Sequence, residues 1–108
     1  MSGAQHPELA SGRWSQLTLL EQLGNVGSEV ERAVRWKDVD ASRKAAERAL
    51  ELMDLTLDDL KNRSRLKEIA RAREVLADYF FGGNGYLSTP ASLSGYFFPF
   101  ALAARAGR

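Results

Sequence analysis

The stretch Arg43–Arg63, RKAAERALELMDLTLDDLKNR, indicates the fold of this chain most directly. Its apolar residues recur after four, three, four and three positions, which is the period of a helix that packs inside a bundle. We therefore predict a long amphipathic helix here, with Asp40 or Ser42 as its N-cap. Its buried seam is expected to contain Ala46, Leu50, Met53, Leu57 and Leu60.

Helical spacing also precedes this stretch and follows it. Residues 15–37 form the first predicted helix, with Ser15 as its N-cap and with a core line of Leu19, Leu23, Val26, Val30 and Ala33. Residues 65–82 form the third predicted helix, with an inward line of Leu66, Ile69, Leu76 and Phe80. Because Asn62 and Ser64 interrupt the pattern only weakly, the second and third helices are either separate or one long bent helix.

Residues 80–90, FFGGNGYLSTP, separate the third helix from a fourth. Gly82 and Gly83 are expected to end the third helix, because glycine adopts the left-handed C′ conformation without a Cβ clash. Thr89 and Pro90 are expected to begin the fourth helix as its N-cap and first residue. The apolar stripe of this helix contains Leu93, Tyr96, Phe97, Phe100 and Ala104.

The same glycine-rich segment also raises the question of a ligand-binding loop. A phosphate-binding loop normally follows a strand and carries a lysine, and this segment follows a helix and has none. We therefore expect a connector, in which Asn84 takes a left-handed or turn-capping role and Tyr86 packs back onto the end of the bundle. In the helix that follows, Pro99 is expected to produce a kink that Gly95 accommodates.

These patterns predict an all-α protein, most simply an antiparallel four-helix bundle. No segment of useful length alternates as a strand does. The predicted organisation is a flexible N-terminal tail of residues 1–13, followed by one helical-bundle domain of residues 14–108.

Composition excludes several classes of function. The chain has 108 residues, a net charge of +1 and no cysteine, and its one histidine, His6, lies in the predicted tail. A nucleic-acid-coating protein usually carries a clear basic excess, so nucleic acid is not an expected partner. A thiolate metal site, a catalytic triad and a bound cofactor are not expected either. Without a membrane span or a secretory signal, a cytoplasmic location is expected.

The first helix carries a candidate binding face. Gly24 and Gly27 each cost about 1 kcal/mol relative to alanine inside a helix, so a compensating contact is expected. The first explanation is a close approach of another helix, within the bundle or across a dimer. The second is that the bare backbone leaves room for a ligand or partner beside side chains that share one face by their spacing, namely Asn25, Ser28, Glu29 and Arg32.

Two later residues extend this candidate face. Arg73 interrupts the apolar line of the third helix, so it forms a buried ion pair, contacts a ligand, or keeps its charged end in solvent while its stem packs. Glu29, Asp54 and the neighbourhood of Glu74 are its candidate partners. Phe97 and Phe98 are adjacent and point about 100° apart, so both cannot lie in the central core. The fourth helix is therefore expected to have two apolar faces, with Phe98 on the face that meets a partner.

An acidic ladder on the second helix offers an alternative function. Carboxylates that project together from bundle helices bind hard cations such as Mg²⁺ or Mn²⁺. Glu51 and Asp54 form the Glu-x-x-Asp half of a motif used by bundle pyrophosphohydrolases, but the Glu-x-x-Glu half is absent. A metal-dependent hydrolase or nuclease would therefore use the ladder itself and Glu29; a solvated helix flank is the simpler interpretation. The ladder comprises Glu47, Glu51, Asp54 and Asp58.

Several segments together resemble a family of small bacterial and archaeal helical proteins of uncharacterised function. They are GNVGSEVERA, RALELMDLTLDD, RLKEIARAREVLADY and YFFPFALAAR, and the likeness covers residues 14 to 105. In topology the chain resembles the HEPN superfamily of helical bundles, which implies dimerisation and partnership with a nucleotidyltransferase. HEPN ribonucleases carry an Arg-x4–6-His motif, and this sequence has no histidine after His6, so the resemblance favours the branch that binds a nucleotidyltransferase or a substrate.

The sequence thus predicts a non-enzymatic, cytoplasmic helical-bundle protein. It is expected to form a homodimer and to accompany a nucleotidyltransferase, with no catalytic residues, no metal site and no cofactor. The candidate interaction or ligand face comprises Asn25, Ser28, Glu29, Arg32, Arg73, Tyr86 and Phe98.

Overall fold

The computed structural model describes residues 12–106, which contain four α-helices and no strand. The α-helices are α1 (Leu19–Arg35), α2 (Val39–Asp58), α3 (Leu66–Phe81) and α4 (Pro90–Ala106). Short 3₁₀ segments lie at Trp14–Gln16 and Leu60–Arg65. The all-α class and the four helices are confirmed. Apart from its last two positions, the predicted tail of residues 1–13, with His6, lies outside the described residues.

Helix α1 begins one turn later than expected, because its N-cap is Thr18 and not Ser15. Thr18 and Glu21 form a capping box: the Glu21 N–H donates to the Thr18 hydroxyl (3.1 Å), and the Thr18 N–H donates to the Glu21 carboxylate (2.9 Å). Ser15 has no glutamate three residues later, so it cannot form this reciprocal pair. Its hydroxyl donates instead to the carbonyl of Gly12 (2.8 Å).

Helix α2 is capped by Asp38, so the prediction of Asp40 or Ser42 as N-cap was wrong. The Asp38 carboxylate accepts from the N–H groups of Asp40 (2.8 Å) and Ala41 (3.2 Å). The 3₁₀ segment Leu60–Arg65 separates α2 from α3, which answers the open question of their continuity.

The connection between α3 and α4 begins and ends where the sequence predicts, but the expected glycine conformation is wrong. Thr89 caps α4, because its hydroxyl accepts from the Ser92 N–H (3.0 Å) and the Ser92 hydroxyl accepts from the Thr89 N–H (2.9 Å). Gly82 ends α3 with a φ of −111°, which is not left-handed. Space is tight at this position, since an added Cβ would lie 3.1 Å from the Cα and carbonyl oxygen of Asp78, closer than most Cβ contacts.

The core is built mainly around α1, which packs against α2 and α4, while α3 packs against α2. Leu23, Val26 and Val30 of α1 are buried at its centre. Side chains from the other helices complete this cluster, namely Leu52 and Met53 of α2, Ile69 and Leu76 of α3, and Leu93 and Phe97 of α4.

The predicted seam of α2 is only partly correct. Ala46 and Met53 are buried as expected, but Leu50 and Leu57 are half-buried and Leu60 is 78% exposed. The more deeply buried line of residues is rotated around the helix by about one residue position from the predicted seam, because α2 packs against α1 and α3 at once. This line also repeats at four, three and four positions, as Ala45, Ala49, Leu52 and Thr56. Leu66, predicted to point inward, is 38% exposed at the first position of α3.

Gly24 and Gly27 allow α1 and α4 to approach each other closely. A Cβ added at Gly24 would lie 3.2 Å from the Cα of Ala101, and one added at Gly27 would lie 2.7 Å from the Cβ of Phe97. Gly27 follows Gly24 along α1, whereas its neighbour Phe97 precedes Ala101 along α4. The two helices are therefore antiparallel. A close helix–helix approach within the bundle, the first explanation offered for these glycines, is therefore what the structure contains.

A buried polar network anchors the chain before α1 to the end of α2. The Trp14 indole donates to the Thr56 hydroxyl (3.0 Å), and the Gln22 amide donates to the Trp14 carbonyl (2.9 Å) and to Asp59 (2.8 Å). Asn62 donates to the Gln22 side chain and to the Thr56 carbonyl, both at 2.9 Å. Each buried amide therefore has partners, which offsets the cost of removing it from water. Burial raises the pKa of Asp59, but its hydrogen bonds, which include one from Lys61, outweigh this and lower it.

No helix among residues 12–106 combines the length and the apolar character that crossing a membrane requires.

Candidate interaction face on helices α1 and α4

Helix α4 has two apolar faces, as its adjacent phenylalanines predict. Phe97 is 3% exposed and packs in the core, whereas Phe98 is 57% exposed. The close approach of α1 sets this orientation, because Gly27 lies directly against Phe97 and thereby leaves Phe98 on the outside. That the outer face meets a partner stays a prediction.

The outer face of α4 carries a regular row of exposed residues, which we call the α4 stripe: Ala91, Gly95, Phe98 and Leu102. They follow one another after four, three and four positions, the spacing of a seam between paired helices. Leu102 is 47% exposed, and a Cβ added at Gly95 would have nothing within 4 Å. Two large side chains therefore protrude at one end of the stripe, and two small residues leave open space at the other.

The position of Phe98 and Leu102 distinguishes them from the other exposed apolar residues. Both lie at least four residues from either end of α4. The other large exposed apolar residues of the described chain lie in connections or within two residues of a helix end, namely Leu20, Trp36, Val39, Leu60, Leu66, Phe81, Tyr86 and Leu87. Isolated apolar residues at helix ends are ordinary on protein surfaces, whereas a row along one helix is not.

Beside the stripe runs an open groove between α1 and α4, with a volume of about 550 Å³. Small residues line it, among them Gly24, Ser28 and Ala101, and Phe98 contributes to its lining. Charged residues of both signs also line it, including Glu21, Glu31, Arg35 and Arg105. Since neither sign dominates, the groove has no charge preference that would select an anion or a cation.

Two of the predicted face residues, Asn25 and Ser28, line this groove. Their polar groups bond to the backbone of α1: the Asn25 amide donates to the Glu21 carbonyl (2.8 Å), and the Ser28 hydroxyl donates to the Gly24 carbonyl (3.4 Å). Such local bonds are common for these residue types in helices and reduce their capacity to bind a ligand.

Glu29 and Arg32, the other two, belong to a different contact. Glu29 is 8% exposed and binds Arg48 of α2 at 3.3 Å and Arg32 at 3.4 Å. The structure therefore divides the predicted group of four between the groove and an ion-pair cluster that joins α1 to α2. The helical spacing that suggested a common face could not reveal Arg48, which is 19 residues away in sequence.

Arg73 lies at the surface and joins α3 to α2. Its guanidinium donates to both carboxylate oxygens of Asp54, at 2.6 and 3.3 Å. The Arg73 and Asp54 side chains are 36% and 53% exposed. Of the three alternatives for Arg73, the structure contains the one in which the charged end stays accessible to solvent, with Asp54 as its partner. An exposed pair of this kind contributes little to stability.

Tyr86 packs back onto the bundle, but against the middle of α3 and not at the end of the bundle. Its hydroxyl donates to the Glu74 carboxylate (3.0 Å), and the Arg71 guanidinium lies 5.8 Å from the centre of its ring. The hydrogen bond to Glu74 raises the pKa of Tyr86. The ring is still 45% exposed, so it covers the surface of α3 and does not enter the core.

The loop around Tyr86 is organised by Asp78, a residue whose role the sequence did not reveal. Its carboxylate accepts from the N–H groups of Gly85 (3.0 Å) and Tyr86 (3.1 Å), and its carbonyl accepts from those of Gly82 (3.0 Å) and Asn84 (3.2 Å). Because Asp78 occupies these donors, they are not available to an anion.

Asn84 has both of the roles predicted for it. Its φ is 54°, in the left-handed region, and its side chain exchanges two hydrogen bonds with the backbone of Ser88, at 3.0 and 2.8 Å. Leu87 is the other left-handed residue of the described chain that is not glycine, with a φ of 56°. The glycine-rich segment is therefore a connector that hydrogen bonds within the chain hold in place.

The acidic ladder of α2 does not form a metal centre. Within residues 12–106, no three Asp, Glu or His side chains lie in a group that could hold a metal ion. Asp54 is bound to Arg73, and Glu29 is bound to Arg48 and Arg32. Asp54 and Glu29, two of the carboxylates named for the metal-dependent alternative, therefore already form ion pairs with arginine side chains.

A smaller cleft of about 180 Å³ lies between α3 and α4. Its walls are mainly apolar and include Val75, Leu76 and Leu93. The Tyr96 hydroxyl donates to the Glu68 carboxylate (3.2 Å) across this cleft. Burial raises the pKa of Tyr96 to about 12, and the negative charge of Glu68 adds to the effect. The cleft thus contains a protonated phenol whose donor is already used.

Comparison of the chain with protein-family models, with curated protein sequences and with solved structures gives no match.

Proposed function

We propose that this chain is a non-enzymatic interaction protein that forms a homodimer through the outer face of α4. The observation that carries the proposal is the α4 stripe, in which Phe98 and Leu102 protrude from the middle of a helix while their neighbour Phe97 is buried. A self-associating helical bundle is the simplest function for such a row, because each copy brings both protruding side chains and open space.

The exposed area indicates the strength of the association. Burying a fully exposed Phe or Leu side chain stabilises by about 1.5–3 kcal/mol. Phe98 and Leu102 are each about half exposed, so the four side chains of a dimer contribute about 3–6 kcal/mol. Dissociation constants in the millimolar and micromolar ranges correspond to about 4 and about 8 kcal/mol. We therefore expect a weak and reversible dimer. A dissociation constant on the order of 100 µM corresponds to about 5.5 kcal/mol, so the rest of the α4 surface must offset the entropy cost of association.

The size of the surface agrees with this expectation. Helix α4 has 17 residues and is about 26 Å long. Together with the adjoining part of α1 it offers a strip about 20 Å wide, or roughly 500 Å² per copy, since packed helices lie 8–10 Å apart. A standard stable interface buries about 800 Å² per partner. The strip is therefore large enough for a specific contact and too small for a permanent one.

A matched pair of substitutions tests the proposal. Phe98→Ser removes the central protruding side chain of the stripe, and Phe81→Ser removes a phenylalanine of similar exposure, 49% against 57%, at the end of α3. We expect Phe98→Ser to weaken dimerisation at least tenfold in sedimentation equilibrium and Phe81→Ser to leave it unchanged. Equal dimerisation by the two variants would contradict the role of α4.

Two more specific predictions, the HEPN type of the bundle and the nucleotidyltransferase partner, belong to the same proposal. The antiparallel contact of α1 with α4 supports an antiparallel bundle. Its assignment to the HEPN type rests on the resemblance alone. Partnership with a nucleotidyltransferase rests on the resemblance alone, and the test is a binding titration with a purified minimal nucleotidyltransferase. Saturable binding would support that partner, and its absence at about 100 µM of each protein would contradict it.

A further inference from the structure

The order of residue sizes along the α4 stripe indicates how two copies fit together. From the N-terminal end the stripe reads small, small, large, large: Ala91, Gly95, Phe98, Leu102. In a parallel pair of α4 helices, Phe98 would meet Phe98 and Gly95 would meet Gly95, which produces both a clash and a gap. In an antiparallel pair, each large side chain meets a small residue, so the surfaces match at every layer.

We propose that two copies of this chain pair antiparallel along α4, with Gly95 of each copy against Phe98 of the other and Ala91 against Leu102. This inference rests on the proposed self-association and specifies its register. The four layers are related by a two-fold axis that passes between Gly95 and Phe98. The spacing of four, three and four positions is the one that keeps such layers in line between two helices.

The open space at Gly95 fits this register. A Cβ added there would have nothing within 4 Å in the single chain, so the backbone surface is bare and can receive the ring of Phe98 from the second copy. Glycine inside a helix costs about 1 kcal/mol relative to alanine. At Gly24 and Gly27 the contact with α4 explains that cost, whereas nothing in the single chain contacts the Cβ position of Gly95. Glycine at position 95 also relieves the clash between the Pro99 ring and the carbonyl four residues earlier. The second copy covers the bare surface that remains.

Disulfide crosslinking tests the register, and the absence of cysteine from the natural sequence makes the test clean. The two variants are Ala91→Cys and Leu102→Cys, both at exposed positions. A disulfide requires Cα atoms within about 7 Å. Positions 91 and 102 of one helix are about 16 Å apart, so any bond between them joins two chains.

We expect an equimolar mixture of Ala91→Cys and Leu102→Cys to form a covalent heterodimer under mild oxidation, at least tenfold faster than either variant alone. Lys44→Cys, exposed on α2, mixed with Leu102→Cys is the matched control and is expected to crosslink only at the background rate. Rapid crosslinking of either variant with itself would indicate a parallel pair and would overturn the register.

Sedimentation of the unmodified chain separates the failure of the register from the failure of self-association. A concentration-dependent dimer without the 91–102 crosslink overturns the register and leaves the proposed function intact. A monomer at every concentration, again without the crosslink, overturns both.

A size exchange provides a second readout. Gly95→Leu alone and Phe98→Ala alone are each expected to weaken the dimer about tenfold, and the double variant is expected to recover most of that loss. Because the large and small residues exchange places within one layer, recovery is specific to the antiparallel pair. If the double variant instead weakens the dimer about a hundredfold, the product of the two single effects, positions 95 and 98 do not pack against each other and the proposed layer is contradicted.

Discussion

Replacing three glycines of the structure by alanine tests the contact that sets the orientation of α4. Alanine gains about 1 kcal/mol over glycine in a helix wherever the new Cβ has room. At Gly27 the Cβ would lie 2.7 Å from the Cβ of Phe97, closer than real Cβ contacts. Phe97 is 3% exposed and its Cβ is fixed to the backbone, so α1 and α4 must separate. Such overpacking costs about 1–3 kcal/mol.

The net effect therefore differs among the three positions. Gly27→Ala is expected to lower the free energy of unfolding by up to about 2 kcal/mol, once the helical gain of about 1 kcal/mol is subtracted. Gly24→Ala is expected to be nearly neutral, because its 3.2 Å contact with the Ala101 backbone requires only a small adjustment. Gly95→Ala has open space and is expected to raise the stability of the monomer by about 0.5–1 kcal/mol.

Urea unfolding followed by circular dichroism, at concentrations well below the dimer constant, measures these differences. In a domain of this size, 1 kcal/mol shifts the melting temperature by about 4–8 °C, so thermal melts give an independent check. The result that would refute the reasoning is a Gly27→Ala variant at least as stable as the natural chain. In that case α1 and α4 would not be in the close contact that leaves Phe98 outside.

Two further predictions concern the pH dependence and metal binding. Because the pKa of Tyr96 is raised to about 12 in the folded chain and is near 10 when unfolded, the stability that it contributes is complete below pH 10 and is lost as the pH rises toward 12. Tyr96→Phe is expected to flatten that decline in alkaline unfolding curves, and an unchanged slope would contradict the assignment. Millimolar Mn²⁺ or Mg²⁺ is expected to shift the melting temperature by less than about 1 °C. A rise of several degrees that disappears in Glu51→Ala would instead support the metal-dependent hydrolase.

The sequence predicts the helices better than their registers. The number of helices, the start of α4 at Thr89–Pro90 and the division of Phe97 from Phe98 all follow from local chemistry that the chain displays within a few residues. The caps of α1 and α2 were misplaced because several serine, threonine and aspartate residues stand close together. At Thr18 only the glutamate three residues later distinguishes the true cap.

Features that depend on distant contacts were not predictable in the same way. The buried line of α2 is displaced because α2 packs against two helices at once, and the sequence of one helix does not contain that information. Arg48 joins Glu29 from another helix, and Asp78 fixes a loop up to eight residues away. An acidic residue four positions before the glycine-rich turn is the signal that could have found the role of Asp78.

The most direct test of the proposed function is sedimentation equilibrium of the unmodified chain from about 10 µM to about 1 mM, a range that brackets the expected dissociation constant. The apparent mass is expected to rise from near 12.0 kDa toward twice that value across the range. Phe98→Ser, weakened at least tenfold, is expected to reach at most about 1.5 times the monomer mass at the highest concentration. A natural chain that stays at 12.0 kDa at the highest concentration would contradict the proposal that α4 mediates self-association.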